Sequence, residues 1–428
     1  NPTLGLPFKP RATAGNYIDW LKLPELFPTY FPGVTTACDS EITDTSRERL
    51  TKRMKEYFDP EVSDAEIKSK YPRLMRETQR FSPSETRKRL IERGYLSENI
   101  VRYGYRPMDV RWLYWEQETK LLDERRSDLK ESLCENPTVL AMHHTPRRDW
   151  TGPQVIQGPG DYVLFDPSTS FFPLYLNPES GGGDLFNQSD GSGEPIPNLS
   201  PQAERYVQAH GASVETLFYH SIAVMHAPTY RQENEGALRQ DWPRIPLPDD
   251  TNVLRESAEL GREVAALLDV EQDAPGVDTG RVRDELRLLG QPEHSEPGRS
   301  LQTSDFAVTA GWGYTIGGTT VMPNKGTLKE RPYTPDEEAA LPTGIREQWG
   351  GATMDIYWNE EGRWANVPER VWDYTLGGYP VIKKWLSYRE EKVLGRALTL
   401  GEIRHVQHMT RRIAAILQLE PRLDASYD

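Results

Sequence analysis

Val101-Arg-Tyr-Gly-Tyr-Arg-Pro-Met-Asp-Val-Arg-Trp-Leu-Tyr-Trp115 packs five aromatic rings and three arginines into fifteen residues. Its second half, Arg111 to Trp115, is the kind of short aromatic run that suits a buried strand, and Tyr162 to Phe165 reads the same way. Arginine forks and aromatic faces are also what a surface uses to grip phosphates and base edges. The whole chain nevertheless carries a net charge of -14 over 428 residues, with a pI near 5.2. Any nucleic-acid site must therefore be local.

Working outward, two basic islands stand against the acidic average. Tyr71 to Arg126 holds thirteen Lys/Arg against nine Asp/Glu, and Tyr379 to Arg412 holds eight against three. Between Gln232 and Asp305, seventeen acids face eight bases, which reads as a solvated, polyanion-repelling stretch. The 34 prolines and 33 glycines with 27% charged residues exclude a coiled coil or simple bundle. They point to a loop-rich α/β or α+β protein of two or three domains. No run of eighteen apolar residues is present, so no membrane association is expected. Two cysteines, Cys38 and Cys134, without a C-x-x-C spacing suit a reducing cytoplasm and offer no zinc site. The chain starts at Asn1 with no initiator Met and reads as an excised piece.

Capping signals place the helices. Ser63-Asp-Ala-Glu66, Ser82-Pro-Ser-Glu85 and Thr399-Leu-Gly-Glu402 have capping-box spacing, and Pro83 takes the favoured first helical position. Ser200-Pro201 opens a helix that Gly211 closes, and Ser213 opens one that buries Leu217, Phe218, Ile222 and Met225 until Pro228. Thr251 to Leu268 is amphipathic, and a further helix covers Val381 to Arg389. The last helix turns Ile403, Val406, Ile413 and Leu417 inward, with Arg404, His405, His408, Arg411 and Arg412 on its other faces. Residues 1–44, dense in proline, read as an extended connector with short strands. Residues 45–250 form an α/β core, 251–304 a helix plus acidic linker, and 305–428 an α/β and helical subdomain. Gly181 to Gly193 is a surface loop, and Gly311-Trp-Gly-Tyr-Thr-Ile-Gly-Gly318 a hairpin or turn rather than a nucleotide loop.

Chemistry-bearing patterns are sparse. His143-His144 project to opposite sides of a strand and cannot easily share a metal, and His405 with His408 lack a carboxylate companion. Asp373 with Glu390 and Lys392 could be nominated as a Mg²⁺ nuclease set, a spacing that arises readily by chance. There is no Gly-x-Ser-x-Gly elbow, Walker loop or zinc-deaminase signature. No Asn-Pro-Pro-Tyr/Phe tetrapeptide for holding a flipped adenine and no glycine-rich S-adenosylmethionine loop is present. On motifs alone the chain is a binding module without catalytic, cofactor-binding or metal-binding residues of its own.

Several blocks, in order, resemble the C-terminal region of type ISP restriction-modification enzymes and related large adenine-N6 DNA methyltransferases. They are Leu23-Pro-Glu-Leu-Phe-Pro28 with Phe31-Pro-Gly-Val-Thr-Thr36, Tyr105 to Trp115, Phe172-Pro-Leu-Tyr-Leu176, Tyr219 to Arg231, Asp241 to Leu247, and Val367 to Leu386. The resemblance implies a target-recognition domain that reads double-stranded DNA for phage defence and is non-catalytic by itself. It implies a methyltransferase domain in the same parent chain, reached through residues 1–44, that would hold S-adenosylmethionine. Arg106, Arg111, Arg125, Arg126, Arg147 and Arg148 are the DNA-facing candidates, with Lys383, Lys384 and Arg389 as phosphate contacts. Arg106 and Arg111 have a competing reading as framework residues paired with carboxylates such as Asp109. Trp112, Tyr114, Trp372, Tyr379 and Trp385 read as core. Two other readings remain open: an independent nuclease, and a protein-interaction scaffold docking through the acidic segment.

Overall fold

The computed structural model describes residues 16–78, 81–178, 193–317 and 320–428. Most of the Gly181 to Gly193 loop lies outside them. The described residues form a mixed α/β fold of short antiparallel sheets and helices. They divide into two compact units, each assembled from separated stretches: described residues within 23–144 and 155–206, and those within 16–22, 145–154 and 207–428. Composition places boundaries near 44, 250 and 304; packing places them elsewhere.

In the first unit the opening stretch becomes a hairpin. Strands Ile100–Arg106 and Asp109–Tyr114 pair antiparallel around Pro107 and Met108, and Thr43–Asp44 adds a third strand. Met108 takes the turn's left-handed conformation at φ 54°. Tyr103, Leu113 and Tyr114 are fully buried. Gly104 is where the chain 159–161 crosses the hairpin: its N–H donates to the Pro159 carbonyl and its carbonyl accepts from Asp161. A Cβ there would meet Leu164 Cδ1 at 2.9 Å. A second sheet has the order Phe31–Pro32, Ser170–Pro173, Thr138–Met142, Gln154–Gln157. Tyr162 to Phe165, expected as a strand, is a turn. Asp161 organises it, its carboxylate accepting from Val163 N and its carbonyl from Leu164 N. Leu164 and Phe165 are buried there, so apolarity marked burial and not strand conformation.

Helices in this unit start where the caps predict. Ser63 and Glu66 make a reciprocal capping box for Asp64–Lys70. Ser82 precedes Pro83–Arg93, but its hydroxyl makes no cap bond, so proline at the first position sets that start without the box.

The second unit has two cores of different character. Helices Val214–His226 and Thr251–Leu268 lie side by side at very close range, because Gly261 faces the backbone of the partner helix. A Cβ at Gly261 would sit 1.8 Å from the Tyr219 carbonyl oxygen. The C-terminal helix Leu400–Tyr427 packs on this pair and on a four-stranded sheet ordered Gln291–His294, Gly362–Pro368, Thr353–Tyr357, Thr327–Arg331. Tryptophans fill the sheet side, and four buried indole N–H groups find carbonyls: Trp312 to Tyr357, Trp349 to Ala414, Trp358 to Asp305 and Trp364 to Ile403. That pairing removes the cost of burying a donor while keeping the ring's apolar area. Residues 269–304, expected as a linker, are instead packed: Ala274, Val277, Leu286 and Leu289 are buried.

Candidate nucleic-acid interface

The basic islands lose much of their positive charge to the fold. In the first island Arg87 is buried and donates to the carbonyls of Tyr57, Asp59 and Val62 and to Asp64. Arg93 forms a fork on the buried Glu116, at 3.0 and 2.9 Å.

Arg106 and Arg111 belong to the same economy. Arg106 is 6% exposed, lies over the Tyr105 ring and pairs at 3.2 Å with Asp161, itself buried and bonded to Tyr103 Oη at 2.8 Å. Arg111 lies 3.7 Å from the Tyr105 ring centre and donates to Asp109 at 3.0 Å. Two guanidinium groups thus lie against one ring and are pinned by two carboxylates, so the Arg106 charge turns inward rather than to a ligand. Trp112, expected in the core, is half-buried with the Arg47 and Arg102 guanidinium groups 5.2 and 4.6 Å from its ring. Tyr114, Trp372 and Trp385 are buried as expected, while Tyr379 is half-buried.

Arg125 and Arg126 have a different setting. They line a cleft of about 680 Å³ between the start of the helix Pro83–Arg93 and the segment 118–128. The Trp115 indole donates to the Arg125 carbonyl at 2.6 Å, which fixes the backbone and leaves the Arg125 side chain exposed. Arg126 takes φ 53° as it enters the helix Ser127–Ser132, and its Nε donates to the Gly33 carbonyl. Arg89 and Lys120 add two exposed cations to the lining, which also holds Glu85, Glu118, Asp123, Glu124 and Asp128. Five carboxylates against four cations give no net attraction for phosphate. A polyanion reaching this unit is met by individual exposed guanidinium groups, not by the field of the cleft.

In the second unit Arg147 and Arg148 are exposed on the loop after His144. The loop is anchored by Trp150, buried against Tyr230, and by Thr151, whose hydroxyl accepts from Gly377 N at 2.6 Å. Anchored backbone with exposed guanidinium groups is a suitable arrangement for phosphate contact. The C-terminal island differs from its expectation. Lys384 is buried between the rings of Tyr379 and Tyr388, 4.8 and 4.9 Å away, and Arg389 is buried 4.3 Å from the Trp385 ring. Lys383 is half-buried. Arg411 and Arg412, expected on exposed faces, are buried too. Arg412 binds Asp278 and the carbonyls of Ala266, Leu267, Asp269 and Gln272, so it caps the end of Thr251–Leu268. Arg411 donates to the Arg287 carbonyl. In all four cases ring faces or carbonyls claimed the cation.

The remaining chemistry is structural. Glu390 is buried with its two carboxylate oxygens accepting from Gly311 N at 3.2 Å and Trp312 N at 2.7 Å, so the set with Asp373 and Lys392 lacks an available central carboxylate. His143 is 1% exposed, and burial pushes its pKa down to about 4. His405 stacks on Trp385. Among the described residues no group of three or more His, Cys, Asp or Glu is arranged to hold a metal ion, and no helix is long and apolar enough to cross a membrane.

A family model described as the Type ISP C-terminal specificity domain matches residues 25–416. Solved structures with the same fold include a DrdV–DNA complex, at 17% identity and TM-score 0.58, covering 94% of this chain and 36% of that one. A nuclease-deletion mutant of the Type ISP restriction-modification enzyme LlaGI with a DNA substrate mimic matches at 16% and 0.53, covering 96% and 29%. The ATP-dependent Type ISP enzyme LlaBIII bound to DNA matches at 16% and 0.58, covering 97% and 24%. The chain therefore spans between about a quarter and about a third of the length of these proteins. No curated protein sequence matches it.

Proposed function

From the premise that the chain belongs to the Type ISP C-terminal specificity domain family, we propose that it reads a target sequence in double-stranded DNA for an adenine-N6 methyltransferase of a restriction-modification system. The observation that carries this reading is the family match over residues 25–416. The reading assigns the methyl transfer, and the S-adenosylmethionine it consumes, to a methyltransferase domain of the same parent chain. It places the work in the cytoplasm, where the DNA is, and makes this region non-catalytic by itself.

Exposed, individually placed arginines support the reading. Arg125 and Arg148 are exposed, and neither guanidinium has a partner among the described residues. Anchored on rigid backbone, such groups neutralise phosphate and set register, while other side chains read base edges. The test is duplex binding by the 428-residue chain over a salt series. Arg148→Ala and Arg125→Ala should each weaken binding to every duplex and lower the slope of log K against log salt by about 0.9 per lost phosphate contact. Affinity independent of salt would sink the proposal.

A further inference from the structure

We infer that the hairpin Gly313–Ile316/Thr320–Pro323 is a ribbon that enters a groove of the DNA duplex, an inference that rests on the DNA-recognition reading and names one element that performs it. The register sets Tyr314 opposite Met322 and Ile316 opposite Thr320. Side chains alternate across a strand, so these four share one face. All four are exposed, Ile316 at 53%, Tyr314 at 39% and Met322 at 38%. Leu328, on the edge strand Thr327–Arg331, is likewise 39% exposed.

The base of the hairpin is fixed. Gly313 lies so close to the helix Val381–Ser387 that a Cβ would come within 2.0 Å of the Ser387 carbonyl oxygen. Glu390 holds the Gly311 and Trp312 amides. The Trp312 ring is buried, bonded to the Tyr357 carbonyl and edge-on to Trp372 at 5.4 Å. Gly326, at φ +65°, lets the returning chain cross that ring where a Cβ would come within 2.1 Å of it. A clamped ribbon presenting a cluster of large apolar side chains to water is a surface that expects a partner.

Charge identifies the partner. The chain has 65 acidic residues in 428, yet none lies between Phe306 and Lys329. Within that stretch Lys325 and Lys329 are exposed, and so are the hydroxyl-bearing Tyr314, Thr315, Thr320 and Thr327. A stretch of chain without carboxylates that carries two exposed lysines, in an otherwise acidic protein, suits a polyanion, although Glu330 and Glu391 are exposed close by in the sequence and on the neighbouring helix. A two-stranded ribbon fits the major groove, where apolar side chains contact thymine methyl groups and hydroxyls meet base edges. The lysines then reach the flanking phosphates.

The experiment selects duplexes randomised at their central base pairs with the 428-residue chain, then measures the selected duplex against an unrelated one. Ile316→Ser combined with Met322→Ser should retain weak binding to both duplexes but lose about tenfold or more of the preference. Lys325→Ala with Lys329→Ala should weaken binding to both and lower the salt slope by about two. Because these side chains are exposed, melting temperatures should stay at the parent value. Ile316→Glu supplies an independent variant, whose added carboxylate should weaken every duplex. If the parent chain selects a duplex and all these variants keep its affinity, preference and salt slope, the inference is overturned and the recognition reading stands. A change confined to self-association or protein capture overturns it as well, assigning the face to a protein partner. Failure of the parent chain to select any duplex overturns both readings.

Discussion

At the scale of single residues, an arginine in this protein is defined by what it reaches. Arg106 and Arg148 are the same in the sequence, but one is buried on a carboxylate and the other is exposed without a partner among the described residues. Removing Arg106 leaves Asp161 buried with its ion-pair partner gone, which costs about 3–5 kcal/mol in comparable cases. Arg106→Ala should therefore lower the melting temperature of the chain, and chemical denaturation should show the loss. Arg148→Ala should leave the melting temperature unchanged and weaken DNA binding. The reverse pattern would exchange the two roles. The sequence offered both readings for Arg106 and could not choose, because the partner that decides, Asp161, lies 55 positions away on a turn misread as the neighbour of a strand.

At the scale of elements, side-chain periodicity and caps were legible because they act within a few residues. Thr251–Leu268 starts and stops where apolar spacing puts it, and the Ser63 and Thr399 capping boxes both form. The glycine-rich stretch from Gly311 is the hairpin that its turn residues suggested. What periodicity does not show is how closely elements approach. Gly261 sits within an amphipathic helix where it would ordinarily cost stability relative to alanine, yet it is the contact that lets two helix backbones meet. Gly261→Ala must push the helices apart, and overpacking of this kind costs about 1–3 kcal/mol, outweighing the roughly 1 kcal/mol gained in helix propensity. Denaturant titration should find the variant less stable than the parent; an equal or higher midpoint would show that the helix pair slides freely.

At the scale of the whole molecule, three buried histidines tie stability to pH in both units. Burial pushes His143 and His220 down to about 4 and His226 down to about 3, with the Arg231 charge acting in the same direction on His226. His220 is held between Ser257 and the Pro246 carbonyl, and His226 on the Pro153 carbonyl, each at 2.8 Å. In the unfolded chain each takes a proton near pH 6.5 while the folded chain does not. Stability is therefore full above about 6.5 and falls as pH drops toward about 4, by up to ~1.4 kcal/mol per pH unit for each histidine. Thermal melts at successive pH values should show that decline; a flat profile between 6.5 and 4.5 would contradict it. The sequence by itself determined the mixed α/β class, the helices that open at Asp64, Pro83, Pro201, Val214, Thr251, Val381 and Leu400, and the family, because these depend on local spacing and on the order of blocks. Tertiary structure alone decided which cations remain outside, which carboxylates are occupied, and that a modest glycine-rich hairpin stands exposed on a clamped base. Those outcomes depend on groups distant in sequence competing for the same charge, carbonyl or ring face, and only packing settles that competition.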